Sequence, residues 1–456
     1  MSLHFTTLTI SCNRTDFNIW NAFAHENCAS WFHFTALPIN CQRLMRRLTA
    51  DLPKDANIQL WVGAWRRGAS WNHAKIIAAD GKYLQTGGHN VWSDIYLKED
   101  PIHDVSIEME GSVAHDAHLF ANSQWQFIEK KQASLLGQIL ENVPDFIPLA
   151  SKNRVIVSEY PQGKASEFAP LYDRSLVPVY DSVSDAVATI SIGRQGVLIE
   201  DDRPADDAFI AMMDASKRII RMSLQDLGPV TFPGVKIPLP SVGWPKPYFD
   251  ALARAIWLRG VDVEIVLSNE NAKSGYTNGW SCVDVASEII KRITKQFPDA
   301  PDADLRQKVE DNLRICYIRH SRNMDYKSGT RIGNHTKFFI VDDLVSYTGS
   351  QNLYEADLAE WGVIVDDTEQ TAQMMEDYWT PLWEASYFES DCEVQDVMDG
   401  LKIDRDGTGA GDPNTAIGKR NAEAAAFAMT KAQFPEKAEF NDEDPIALDK
   451  SVVFDA

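Results

Sequence analysis

Positive charge is the scarce commodity of this chain. Its 456 residues carry 44 Lys and Arg against 66 Asp and Glu, a formal net charge of −22. Nucleic-acid affinity rests largely on phosphate neutralisation by Lys and Arg, so a general nucleic-acid partner is not expected. An acidic average still leaves room for a local basic pocket. Cysteine is also sparse: Cys12, Cys28, Cys41, Cys282, Cys316 and Cys392, none in a CxxC pair. No zinc ligand set is visible, and disulfides and buried thiols stay equally open. His115 and His118 have HxxH spacing without a partner cysteine and are read as helix-surface residues, not metal ligands. No cofactor is expected. No apolar run reaches the roughly 20 residues that span a bilayer, so the chain is expected to be soluble or peripheral. The opening residues MSLHFTTLTISCNRT lack a basic start followed by an apolar core. No signal peptide is expected, and the compartment is left open.

A duplication is present instead. NHAKIIAADGKYLQTGGHN runs from Asn72 to Asn90, and NHTKFFIVDDLVSYTGSQN from Asn334 to Asn352. The two align without a gap. His73 matches His335, Lys75 matches Lys337, and Asp80 matches Asp342. Gly87-Gly88 then matches Gly349-Ser350, and Asn90 matches Asn352. The sequon Asn334-His335-Thr336 inside the second copy is read as coincidence.

Around each copy the same order of elements is expected. In the second half, DDAFIAMMDASKRIIRMSLQDL reads as a helix from Asp206 running into a strand, and PYFDALARAIWLRGVDVEIVLS as a helix, a Gly260 stop and a strand. SCVDVASEIIKRITKQF is a third helix, LRICYIR, TKFFIVDD and EWGVIVDD are strands, and TAQMMEDYWTPLWEAS is a closing helix. In the first half DANIQLWVGA, HAKIIAAD and HDVSIEME read as strands, and GSVAHDAHLFANSQWQFI as the closing helix. Alternating helices and strands imply an α/β fold: two homologous α/β/α sandwich lobes with one active site at their interface. The expected divisions are an N-terminal lobe over 1–200, a C-terminal lobe over 201–398 with the boundary near Asp201 to Pro204, and an acidic, flexible tail over 399–456. The first lobe offers no counterpart of MDASKRIIRMSLQDL, so its start reads as truncated or divergent.

On a strand, residues i and i+2 share a face, so each His is expected to project beside its Lys. Facing lobes would bring two His, two Lys and two Asn to one point. Lysine and amide groups suit phosphate oxygens, where charge builds in the transition state. One His can attack phosphorus while the other protonates the leaving alkoxide; spacing does not say which. No metal is needed, because the lysines supply the positive charge.

HxKxxxxD followed by G[GS]xN, in two copies, resembles the phospholipase D superfamily, and is most similar to its secreted bacterial, streptomycete-type enzymes. The likeness spans roughly residues 45 to 390 and is carried by SWNHAKIIAADGK, TGGHNVWSDIYL, PIHDVSIEMEG, SLQDL and GSQNLYEADLAEWGVIV. The resemblance implies hydrolysis of phosphatidylcholine-like lipids through a phosphohistidine, with transfer to alcohols. It implies His73 as nucleophile and His335 as general acid, with Lys75, Lys337, Asn90 and Asn352 clamping the phosphate. Gly88 and Ser350 fall at substrate-binding turn positions, Gly88 standing where Ser is usual. Each His would be oriented by a carboxylate of the other lobe: Glu360 for His73, Asp104 for His335. Glu360 departs from the Asp of the bacterial lipases. Asp80 and Asp342 would fix strand and turn geometry. The implied partner is phospholipid at a membrane surface or micelle, and the enzyme a monomer, since one chain holds both motifs. A phosphodiesterase, nuclease or phosphatidyltransferase of the same superfamily, or an inactive lipid-binding homologue, are the alternatives. Trp92, Tyr96, Tyr276, Trp280, Tyr354, Trp244 and Tyr248 are candidates for headgroup or membrane contact, set against plain packing. Trp125 and Trp379 are expected in the core and Trp71 in the core or rim.

Overall fold

The computed structural model describes residues 9–11, 58–67, 70–90, 96, 99–133, 155–160, 187–195, 203–230, 238, 243–272, 279–354, 358–401 and 452–453. In the first half, β1 (Thr9–Ser11), β2 (Ile58–Arg67), β3 (Ser70–Trp71), β4 (Ile76–Ala79), β5 (Tyr83–Gly87) and β6 (Ser106–Glu110) precede helix α1 (Ser112–Ala133), and β7 (Val155–Tyr160) and β8 (Thr189–Gln195) follow it. β4, β5 and β6 form an antiparallel meander, while β2 pairs with β1, β3 and β7.

The second half begins with α2 (Pro204–Ala215), β9 (Ile219–Leu224), α3 (Lys246–Arg254) and β10 (Asp262–Leu267). It continues with α4 (Cys282–Gln296), α5 (Asp302–Asn312), β11 (Leu313–Tyr317), β12 (Lys337–Val341), β13 (Val345–Gly349) and β14 (Ala359–Asp366). Helices α6 (Thr368–Met374), α7 (Thr380–Ser386) and α8 (Val394–Gly400) close it. Its seven-stranded sheet runs β11-β10-β9-β12-β13-β14-β8, parallel through β11, β10 and β9 and antiparallel beyond. The molecule is therefore α/β with a mixed sheet. β8 lies upstream of the boundary read at residue 201, yet it forms the edge of this second sheet.

All five residues of β12 are buried, as are seven of the eight in β14. Strands this uniformly buried have both faces covered. Phe209, Phe249, Leu252, Ile289 and Ile293 from α2, α3 and α4 pack with Phe339 and Val341 in one cluster. Phe338, Ile340, Trp361 and Val363 pack in another with Trp379 and with Val105, Ile107, Val113 and Ala117 of the first half. The halves thus share an apolar core, which sets the motif residues of one against those of the other.

Local signals explain most boundaries. Ser281 caps α4: its Oγ accepts from Asp284 N at 3.1 Å while the Asp284 carboxylate accepts from Ser281 N at 2.9 Å. Gly260 stops the helical run before β10 at φ 62°, the left-handed conformation glycine tolerates. The closing helix is present and unbroken from α6 through α7, with a π-turn over Met375–Trp379 that sets both Tyr378 and Trp379 inward. One reading needs correction: each motif strand is the first arm of a hairpin, β4–β5 and β12–β13, whose second arm reads in the sequence only as a turn. Asp80 and Asp342 turn these hairpins at φ 56° and 55°, a conformation Asp tolerates better than most residues. Helix α5 was not anticipated.

The tail residues 402–451 and 454–456 lie outside the described residues, and so does the flexibility expected there. Val452–Val453 pairs with β6 in parallel as β15. Cys282, Cys316 and Cys392 are buried free thiols, while Cys12, Cys28 and Cys41 lie outside the described residues. Among the described residues no helix is long and apolar enough to cross a membrane.

Candidate active site

The two histidines stand just ahead of the motif strands, on extended segments that dock onto the other lobe. Asn72 bridges to Ala359, and His73 N donates to Ala359 O at 2.8 Å. Asn334 bridges to His103, and His335 N donates to His103 O at 2.8 Å. In each case the carbonyl belongs to the residue just before a carboxylate. That backbone bond brings Glu360 beside His73 and Asp104 beside His335. His73 Nδ1 lies 2.9 and 3.1 Å from the two Glu360 oxygens, and His335 Nδ1 lies 2.8 Å from Asp104 Oδ2. A carboxylate only accepts, so Nδ1 of each ring carries a proton, and in the neutral ring Nε2 is left with the lone pair. The imidazole centroids are 6.4 Å apart, nearly perpendicular at 79°.

Two asparagines unremarked as site residues set this geometry. Asn72 Oδ1 accepts from Ala74 N at 3.1 Å and from Gln124 Nε2 at 3.0 Å. Asn334 Oδ1 accepts from Thr336 N at 3.0 Å, and its amide donates to Ser223 Oγ at 3.0 Å. Each side chain bends the chain around the following His. The repeat itself begins on Asn in both copies, which was the available signal; the second had been read only as a chance sequon.

The lysines are matched too. Lys75 Nζ donates to His73 O at 2.8 Å, and Lys337 Nζ donates to His335 O. Lys337 is fully buried and also reaches Gln225 Oε1 at 3.3 Å. Asn90 and Asn352 are buried, and among the described residues the Oδ1 of each has no hydrogen-bond partner. Asn352 Nδ2 donates to Tyr354 OH at 2.9 Å.

The two Gly-x-x-Asn turns differ. Their backbones match: Gly88 N donates to Val105 O at 2.9 Å, and Ser350 N to Trp361 O at 3.0 Å. Ser350 Oγ donates to Glu360 Oε2 at 2.5 Å. In the first turn a Cβ on Gly88 would stand 2.0 Å from Asp104 Oδ1, so Asp104 occupies the space a serine would need. Tyr96 supplies the hydroxyl instead, donating to Asp104 Oδ2 at 3.0 Å and lying 3.3 Å from His335 Nδ1. Read beforehand as a packing or headgroup aromatic, it is placed on the His335 carboxylate.

Burial alone would raise the Asp104 and Glu360 carboxyls. Beside Asp104, the His89 and His335 rings, the bond from His335 and Lys337 reverse this. For Glu360 the His73 ring and its hydrogen bond, then Arg194 and Lys75, do the same. Both carboxyls are held below their ordinary range. His335 is pulled down to about 3 by burial and then by Lys337 and Lys75, against the pull of Asp104. At neutral pH it is an uncharged ring beside an ionised carboxylate.

Asp342 sits away from the histidines. Its carboxylate accepts from the backbone N of Lys217, Arg218 and Ile219 at 2.8, 2.7 and 2.9 Å, pinning the α2–β9 connection. Asp80 takes the matching turn in the first copy, where Gly81 N donates to His118 Nε2 at 3.2 Å. His118 is therefore buried within the fold rather than on the helix surface. Among the aromatics, Trp125, Trp379 and Tyr248 are buried, Trp244 and Trp280 pack on each other at 4.9 Å, and Trp71, Trp92 and Tyr276 lie outside the described side chains.

The paired motifs on this α/β scaffold resemble those of the phospholipase D superfamily, and the comparisons with known proteins point the same way. Residues 235–383 match the family described as cardiolipin synthase, PLD-like domain. The chain is 25% identical over 358 residues to a phospholipase D of Streptomyces antibioticus, covering 70% of this chain and 59% of that protein's length. Among solved structures it is similar to phosphatidylserine synthase of Haemophilus influenzae Rd KW20, at 12% identity, a TM-score of 0.44, and coverage of 85% of this chain and 76% of that one. NucT of Helicobacter pylori is 16% identical with a TM-score of 0.27, covering 44% of this chain and 98% of its own.

Proposed function

We propose that the chain is a metal-independent phosphodiesterase of the phospholipase D type that removes the headgroup of phosphatidylcholine-like glycerophospholipids. The observation that carries this reading is the pair of buried histidines, 6.4 Å apart, each held at Nδ1 by a carboxylate from the opposite lobe. The diester phosphate lies between the rings, with its free oxygens toward Lys75, Lys337, Asn90 and Asn352. His73 Nε2 attacks phosphorus and forms an N–P bond, while the O–P bond to the headgroup breaks. His335 gives its Nε2 proton to the departing alkoxide. Neutral at rest, it gains that proton readily once substrate binds, because the phosphate cancels the lysine charges that depress it. Glu360 balances the charge that develops on His73. In the second half His335 takes a proton from water, the hydroxide attacks phosphorus, and the N–P bond breaks. Phosphatidic acid and the original imidazole result.

An alcohol in place of water yields a new phosphatidyl ester by the same route. The match to the cardiolipin synthase, PLD-like family favours such phosphatidyl transfer as a second reading. The net charge of −22 weighs against a nuclease. The test is choline release from phosphatidylcholine vesicles in EDTA, with ethanol present and lipid products resolved. Phosphatidic acid plus phosphatidylethanol is expected, lost in His73→Ala and in His335→Ala. Turnover that survives the double substitution, or that stops in EDTA, would overturn the reading.

A further inference from the structure

One buried cation beside the site takes no part in the chemistry above. Arg194 lies on β8 directly opposite Glu360 on β14. Directly opposed residues of an antiparallel pair stand on one face, with Cβ atoms about 5 Å apart. Arg194 is almost fully buried, and its Nη1 donates to both Asp206 oxygens, at 3.0 and 3.3 Å. Among the described residues its Nε and Nη2 are buried without a hydrogen-bond partner. A guanidinium sunk in protein with two nitrogens unbonded is costly for stability, and one ion pair does not offset it. A second anion within electrostatic reach does, and Glu360 is that anion.

Asp206 connects the same cation to the second turn. It opens α2 and accepts from Gln351 Nε2 at 2.9 Å and from the Tyr248 hydroxyl. Gln351 lies between Ser350, bonded to Glu360, and Asn352. A continuous path therefore runs from Arg194 through Asp206 and Gln351 to Ser350, Glu360 and His73.

We propose that Arg194 is a positioning residue for the Glu360–His73 pair: its buried charge keeps Glu360 an ionised acceptor for His73 Nδ1–H, and its bond to Asp206 ties that charge to the Ser350–Asn352 turn. The inference rests on the reading of His73 as the ring that attacks phosphorus. The other charges facing Glu360 are His73 and Lys75, with Asp206 beyond Arg194.

Two substitutions that break the same ion pair should act in opposite directions. Arg194→Met removes the cation, so Glu360 protonates at higher pH. The pH at which the His73–Glu360 pair takes up a proton, read from Glu360 carboxyl 13C and His73 ring 15N shifts, should rise by about 1–2 units, and the acid limb of kcat/KM for choline release should rise with it. Asp206→Asn removes the competing anion, so Arg194 acts on Glu360 unshared and both readouts should move to lower pH. Arg194→Lys keeps the charge and should leave the limb in place at a reduced kcat. A merely structural pair predicts lower melting temperatures for both variants and unmoved limbs; that result, or an upward move in Asp206→Asn, overturns the proposal. Should Arg194→Met not fold, the direction in Asp206→Asn decides alone, an unmoved limb counting against. The NMR readout needs no substrate. Opposite shifts without lipid turnover would sink the substrate reading and leave this inference standing; lipid turnover with an unmoved titration of the pair would do the reverse.

Discussion

Replacing Gly88 by Ser would write the second turn into the first, and it should lower activity about tenfold to hundredfold. No left-handed backbone demands glycine there; the constraint is space. A Cβ would lie 2.0 Å from Asp104 Oδ1, 2.8 Å from Asp104 Cγ and 2.9 Å from His335 O. A relaxed C···O contact is about 3.3 Å, so Asp104 must retreat by over about 1 Å. Asp104 is held on both sides: Oδ1 accepts from Val105 N at 2.9 Å, and Oδ2 from His335 Nδ1 at 2.8 Å and Tyr96 OH at 3.0 Å. Retreat breaks the bond to His335, worth about 1.5–3 kcal/mol for a charged acceptor. By the barrier relation that is roughly a tenfold to hundredfold loss of rate, consistent with the about hundredfold cost of a 1 Å misplacement. Initial rates of choline release in EDTA measure it, with thermal melting as the folding control. A folded Gly88→Ser enzyme within about threefold of the wild-type rate would refute the steric reasoning. The reverse change, Ser350→Gly, meets no clash and loses the hydroxyl that donates to Glu360 and accepts from Trp361 N at 3.1 Å, for about a tenfold fall.

Tyr96→Phe should lower kcat by about tenfold with KM little changed, because the hydroxyl orients Asp104 and His335; a change confined to KM would make Tyr96 a substrate contact instead. Asp342→Asn should cost about 1–3 kcal/mol of stability with near-normal turnover, since its three backbone bonds lie away from the histidines. Those bonds outweigh burial and hold the Asp342 carboxyl below its ordinary 3.8. Its folded value is depressed, so the stability it contributes is complete above that ordinary value and is lost as pH falls through the folded one. Urea melts should show the wild-type advantage over Asp342→Asn at pH 7 and its shrinkage toward pH 3; an advantage that does not shrink would refute the linkage.

Much of the fold was legible locally. The amphipathic stretches of α2 and α4, the Ser281 cap, the Gly260 stop and the apolar runs of β10, β12 and β14 are short-range patterns. Failures had local causes as well. Helix α5, DADLRQKVEDN, places only Leu305 and Val309 in the core as apolar residues, and the rest of its buried side is Arg306 and Glu310. The second hairpin arms are five residues each and end in Gly, so YLQTG and VSYTG read as turn approaches. His118 looked exposed because HxxH spacing says nothing of which helix face is covered.

The sequence by itself determined the reactive groups and their duplication: two His, two Lys and two Asn at matched spacing, because those positions are fixed by strand and turn geometry within twenty residues. Only the tertiary structure decided which group acts on which. Glu360 lies 287 positions from His73, and Asp104 lies 231 from His335, so no local pattern relates them. Their meeting depends on the backbone bonds that dock each motif onto the other lobe. Strand register placed Arg194 across from Glu360, and the space filled by Asp104 excluded a side chain at Gly88 and left the hydroxyl to Tyr96. Such neighbours are set by long-range packing, where a side chain's environment depends on what the rest of the chain brings to it.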